Sequence, residues 1–108
     1  MDKREIFDND LQNLAQFAKV ISHPARLAIL KHLSETKTCI SGDISDHLPL
    51  SRTTVSQHLK ELKDFGLIHG EVEGLKIKYC LCGSTIKNFK LLFNDFFIED
   101  TYCTDDQC

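Results

Sequence analysis

Thr53, Ser56, Gln57 and Lys60 recur at intervals of three and four residues, so in a helix they share one side. Hydroxyl, amide and amine groups that a core does not need are the types that hydrogen-bond to base edges and phosphate oxygens in a nucleic-acid groove. The opposite side of the same stretch carries Val55, Leu59, Leu62 and Phe65, a stripe that can pack inward. A second chemistry is carried by sulfur. Five cysteines stand at 39, 80, 82, 103 and 108. Their number is odd and their spacing is not that of a disulfide framework, so they are read as free thiols that bind a soft ion or respond to oxidants.

The elements that must position these groups can be traced along the chain. Leu11, Leu14, Ala18 and Ile21, with Phe7 and Phe17 near the same face, predict a first helix of about four turns. Pro24 is suited to the first turn of a second helix with apolar Leu27, Leu30 and Leu33. Ser41 is a good cap for a short third helix running to about Leu48, and Pro49 with Ser51 marks the next break. The stretch 51–65 is the fourth helix. From Leu67 the period changes. Leu75, Ile77, Tyr79 and Leu81 alternate with Lys76, Lys78, Cys80 and Cys82, which predicts a strand with Cys80 and Cys82 on its outward face as small half-buried residues. The Glu73-Gly74 turn makes that strand the return arm of a hairpin. A last helix from about Ser84 presents Ile86, Phe89, Leu92, Phe93, Phe96 and Phe97, an apolar face wide enough to need cover from a second surface. The predicted class is mainly α with a small β-hairpin: a winged helix-turn-helix of five helices plus the wing, paired as a homodimer through its first and last helices.

The 108 residues are expected to form one domain, with a polar tail over about 99–108. No apolar run is long enough to cross a bilayer and the first residues lack a secretion signal, so a cytoplasmic location is expected. The net charge of −3 is unusual for a nucleic-acid binder, but the acidic excess lies after Cys80. Between 51 and 79, Arg52, Lys60, Lys63, Lys76 and Lys78 nearly balance Glu61, Asp64, Glu71 and Glu73, which predicts modest, salt-sensitive affinity that relies on two subunits binding together. No Gly-rich phosphate loop, Ser/His/Asp ordering or paired-carboxylate arrangement points to an enzyme.

Over 17–79 the chain resembles the ArsR/SmtB-type metalloregulatory repressors. The residues that carry the resemblance are A-K-V-I-S-H-P-A-R-L-A-I-L, similar to the family's opening, and T-V-S-Q-H-L-K-E-L-K-D-F-G-L-I, similar to its recognition helix. It implies a homodimeric repressor that leaves its operator when a toxic metal or metalloid binds. Two recognition helices entering successive major grooves would read an imperfect inverted repeat in double-stranded DNA. Ser51, Arg52, Thr53, Ser56, Gln57 and His58 are then expected at bases or phosphates, with Lys60 and the wing residues Lys76 and Lys78 at phosphate alone.

Zinc and nickel sensors of that family use nitrogen and oxygen donors of the last helix, whereas here the five histidines, at 23, 32, 47, 58 and 69, all lie outside it. No permanent cofactor is implied. Thiols suit As(III) or Sb(III), which take three sulfurs as a pyramid, better than Cd(II), Pb(II) or Zn(II). Arsenic-responsive relatives often carry Cys-x-Cys at the start of the third helix. This chain has Cys39-Ile40-Ser41 instead, so Cys39 would need sulfur from elsewhere, and Cys103 and Cys108 in the tail are the candidates. Two alternatives stay open: a repressor switched by thiol oxidation or persulfide formation on the same scaffold, and a winged-helix protein-interaction module without DNA.

Overall fold

The computed structural model describes residues 6–35, 40–41 and 44–97. Helix α1 (Asn9–Val20) starts at Asp8, whose carboxylate accepts the Leu11 N–H at 2.9 Å, one of the donors that a helix start leaves without a partner. Helix α2 (Pro24–Glu35) opens on its proline, where the missing N–H costs no hydrogen bond. A two-residue strand β1 (Ile40–Ser41) and a 3-10 turn (Ile44–His47) lead to α3 (Arg52–Phe65). Ser51 caps α3 by accepting the Thr54 N–H at 3.2 Å. Gly66 ends it at φ 97°, a left-handed conformation that lets its N–H and that of Leu67 bond back to Leu62 O. Strands β2 (Ile68–Glu73) and β3 (Lys76–Leu81) form the hairpin, and α4 (Gly83–Phe96) closes the described chain.

The sheet order is β1-β3-β2, antiparallel throughout. Gly70 faces Tyr79 across the hairpin, and an added Cβ there would lie 3.2 Å from the Tyr79 ring and 3.1 Å from Ile77, so glycine makes room for the ring to lie across the strand. The core consists of Ile29 and Leu33 from α2, Ile44 from the 3-10 turn, Val55, Leu59 and Leu62 from α3, and Leu67 and Ile68 at the hairpin entry. Three of the four predicted stripe residues of α3 are therefore fully in the core. The fourth, Phe65, joins an aromatic group: Phe17 of α1 stacks on Phe89 of α4 at 4.3 Å, with Phe65 at 6.2 Å and Phe93 at 5.7 Å.

Four expectations need correction. Four α-helices are present among the described residues, not five. The stretch predicted as a helix capped by Ser41 instead places Ser41 in β1 opposite Lys78, and what precedes Pro49 is a single 3-10 turn. Ser41 pairs with β3 instead of opening a helix, and a segment as short as 44–47 closes i to i+3 bonds more readily than a full helix. The predicted apolar face of the wing is shorter than its alternation implies: Leu75 and Ile77 are exposed, because the hairpin projects beyond the core and only Tyr79 and Leu81 reach it. Cys80, expected on the outward face, is buried at 7% exposure.

The last helix does carry a broad apolar surface. None of its residues is fully buried, and Leu91, Phe96 and Phe97 stand exposed together with Phe7 and Leu11 at the α1 end.

Leu62 has no solvent exposure at the centre of the core. Leu62→Ala should cost about 3 kcal/mol of stability, the usual scale for a leucine cavity, read as a lower urea midpoint with an unchanged slope.

Candidate nucleic-acid interface and the thiols around it

Helix α3 separates its two chemistries by face. With Val55, Leu59 and Leu62 anchored, Thr53, Ser56, Gln57 and Lys60 are all exposed, so their donors and acceptors are available to a ligand lying along the helix. Ser51 and Arg52 are exposed at its start, but Ser51 Oγ also works as the cap and donates to Thr54 Oγ1 at 2.9 Å.

His58 is placed differently from the rest of the predicted set. It is half-buried, and its Nδ1 accepts a hydrogen bond from Arg26 Nε at 3.0 Å, while Arg26 Nη1 donates to Val20 O at 3.1 Å. The His23 ring lies 5.8 Å away. The imidazole thus locks α3 to α2 through Arg26 instead of facing open space. Burial lowers the His58 pKa below its ordinary 6.5, and the positive charge of Arg26 and then His23 lowers it further. The neutral ring is the form that can accept from Arg26. Arg26 was not singled out in the sequence, although it stands inside the H-P-A-R segment that carries the family resemblance.

In the wing, the register sets Lys78 opposite Glu71 and Lys76 opposite Glu73. Lys78 therefore has a glutamate as its cross-strand neighbour, which reduces the positive field this part of the wing offers to DNA. Alternation along one strand cannot reveal this. It depends on which residues the turn brings face to face.

Of the expected metal ligands, Cys39, Cys103 and Cys108 all lie outside the described residues. Cys80 is disulfide-bonded, and Cys82 is a free, half-buried thiol whose Sγ lies 3.2 Å from His69 Nδ1. Among the described residues no three His, Cys, Asp or Glu side chains converge to hold an ion. No helix of the described residues is long and apolar enough to cross a membrane.

An amide-bearing helix held on a small core, followed at once by a hairpin, defines a winged helix-turn-helix module. Residues 23–69 match the model of the "Bacterial regulatory protein, arsR family". The chain is 32% identical over 92 residues to the HTH-type transcriptional regulator YgaV of Escherichia coli (strain K12), a match covering 85% of this chain and 88% of that protein. It is 35% identical over 71 residues to the HTH-type transcriptional regulator CmtR of Mycobacterium tuberculosis (strain H37Rv), covering 66% of this chain but only 59% of CmtR. Among solved structures, HlyU from Vibrio cholerae N16961 superposes with a TM-score of 0.67 at 26% identity, over 84% of this chain and 98% of that one. The chain belongs to the ArsR family of bacterial regulatory proteins, which are transcriptional regulators and not enzymes.

Because the folded chain holds His58 less protonated than the unfolded chain does, protons favour unfolding as pH falls through about 6.5 and below. His58→Gln keeps an acceptor for Arg26 and cannot titrate. Between about pH 8 and pH 5.5 the wild type should lose more thermal stability than this variant, followed by circular dichroism; parallel losses would show that His58 is not the group responsible.

Proposed function

We propose that the chain is a homodimeric DNA-binding repressor that leaves its operator when a thiophilic metalloid such as arsenite or antimonite binds its cysteine thiolates. The observation that carries the DNA half is the two-faced α3: an apolar stripe sunk in the core and an opposite face of exposed hydroxyl, amide and amine groups. Thr53, Ser56 and Gln57 are assigned to base edges, and Ser51, Arg52 and Lys60 to phosphates. Lys76 and Lys78 are assigned to phosphate, with Glu71 as the cross-strand neighbour of Lys78, and His58 serves by fixing α3 on α2. The exposed apolar residues of α1 and α4 support a second copy as the cover for that face. Two copies would present two recognition helices to an imperfect inverted repeat.

The inducer half rests on ligand chemistry. Cys39, Cys103 and Cys108 would supply the three sulfurs that trivalent arsenic or antimony takes, and soft donors of this kind favour those ions over zinc. Cadmium and lead are the next candidates. A cytoplasmic location belongs to the same proposal, since the thiols must stay reduced to act. A second reading, release on thiol oxidation, is favoured by one observation: Cys80 is already in a disulfide.

The test uses a duplex that the full chain selects from a random-sequence pool. Gln57→Ala should weaken binding by about 1 to 3 kcal/mol and relax the preference at one base pair. Arsenite should release the wild-type complex under strict reduction. If no duplex is enriched, or if Gln57→Ala binds as the wild type does, the DNA assignment fails. Indifference to arsenite combined with release by peroxide would replace the first inducer with the second.

A further inference from the structure

Among the described residues, Arg26 carries a charge with no carboxylate partner, although its side chain is half-buried. Its Nε–H goes to a neutral acceptor, His58 Nδ1, at 3.0 Å, and an Nη1–H goes to the Val20 carbonyl at 3.1 Å. A guanidinium has five N–H donors and stays charged in proteins, so donors on Nη1 and Nη2 remain unused. Two imidazoles stand beside it: His58 in contact, and exposed His23 with its ring 5.8 Å from that of His58. These groups oppose one another, since Arg26 and then His23 add to burial in lowering the His58 pKa. A lock between α2 and α3 needs only a donor and an acceptor. Gathering three basic side chains at that point costs stability unless an anion binds there.

The position of the cluster indicates which anion. Consecutive residues of an α-helix are turned by about 100°, which puts His58 on the flank of α3 between the buried stripe of Val55, Leu59 and Leu62 and the exposed Gln57. Arg52 stands on the opposite flank, beside Ser56. A major groove about 12 Å wide admits a helix about 10 to 12 Å across, so phosphates of the two strands line both of its sides. Arg52 is on the side of one wall, and Arg26 with His23 on the side of the other. Glu61 is exposed on that second flank, but among the described residues it makes no ion pair with Arg26.

We propose that Arg26 and His23 together take one backbone phosphate of the operator at each half-site, with His58 orienting the guanidinium through its Nε. This rests on the DNA-binding reading above and adds two contacts to it. A phosphodiester presents two anionic oxygens, and N–H groups on the two terminal nitrogens of an arginine match them. His58 and Val20 O already hold the rest of the guanidinium, so little side-chain freedom is lost when the phosphate arrives. His58 is a positioning residue that touches Arg26 and need not touch DNA. A phosphate contact of this kind carries no sequence information; it fixes the register in which Thr53, Ser56 and Gln57 meet the bases.

The test maps phosphates on the duplex that the full chain selects, each replaced in turn by an uncharged methylphosphonate. At one position per half-site on the His23 side, the replacement should weaken wild-type binding about tenfold, the scale of a charge-assisted hydrogen bond. At that position it should have no further effect on Arg26→Gln. That variant should bind about tenfold more weakly on selected and scrambled duplexes alike, with a salt slope lower by about one phosphate per protomer. His23→Gln changes an exposed side chain and should blunt the same position. His58→Gln, which keeps an acceptor for Arg26, should retain the wild-type map, whereas His58→Leu should lose the position. Full sensitivity of that position in His23→Gln overturns the proposal whether or not Arg26→Gln folds. An Arg26→Gln that binds more weakly but keeps the wild-type map and salt slope would show a structural lock only and overturn it too. In either case a base preference still relaxed by Gln57→Ala would leave the repressor reading standing. If the chain selects no duplex, that reading and the phosphate anchor fall together.

Discussion

Everything the reading face of α3 can do depends on the burial of Val55, Leu59 and Leu62. These side chains have no role in recognition. They remove the helix's freedom to rotate about its own axis, because any rotation that moved Gln57 inward would drag leucine into water at a cost set by the apolar area exposed. The orientation of the exposed amide and hydroxyl groups is a by-product of that constraint. The caps at Ser51 and Gly66 fix where the helix begins and ends, and so where along its length those groups fall.

Two further sets of contacts hold α3 to its neighbours, and they differ in kind. On one side the stacked ring of Phe89 and the ring of Phe65 meet at Phe17, so α1, α3 and α4 share one aromatic junction. Close-packed rings transmit displacement with little slack. A change at the apolar surface of α1 and α4, where a second copy is proposed to sit, would thereby reach α3. On the other side, Arg26 bridges His58 to the end of α1 through Val20 O. That contact is polar and depends on the ring being neutral. One mechanical coupling and one protonation-dependent coupling thus converge on the same helix.

The two described cysteines lie together at the base of the wing. Cys80 is buried and bonded, and Cys82 lies against His69 at the opposite end of the same hairpin from the exposed tip. The wing is therefore chemically divided: its tip carries the exposed Val72 and Leu75, while its base carries Cys80 and Cys82.

Local patterns were legible where one element's own periodicity decides the outcome. The helical stripe of α3, the Pro24 start of α2, the Ser51 cap and the Gly74 turn all follow from spacing and backbone preference over a few residues, and the winged helix-turn-helix class follows from their order. What spacing along one strand or helix cannot contain is the identity of the residue opposite. That Ser41 joins a strand opposite Lys78 and that His58 turns to Arg26 are pairings between segments distant in sequence. The chain by itself determined which surfaces are apolar, polar or reactive. Only the tertiary structure decided which of them meet, because long-range register is settled by packing and hydrogen bonding of the whole core and not by any local preference.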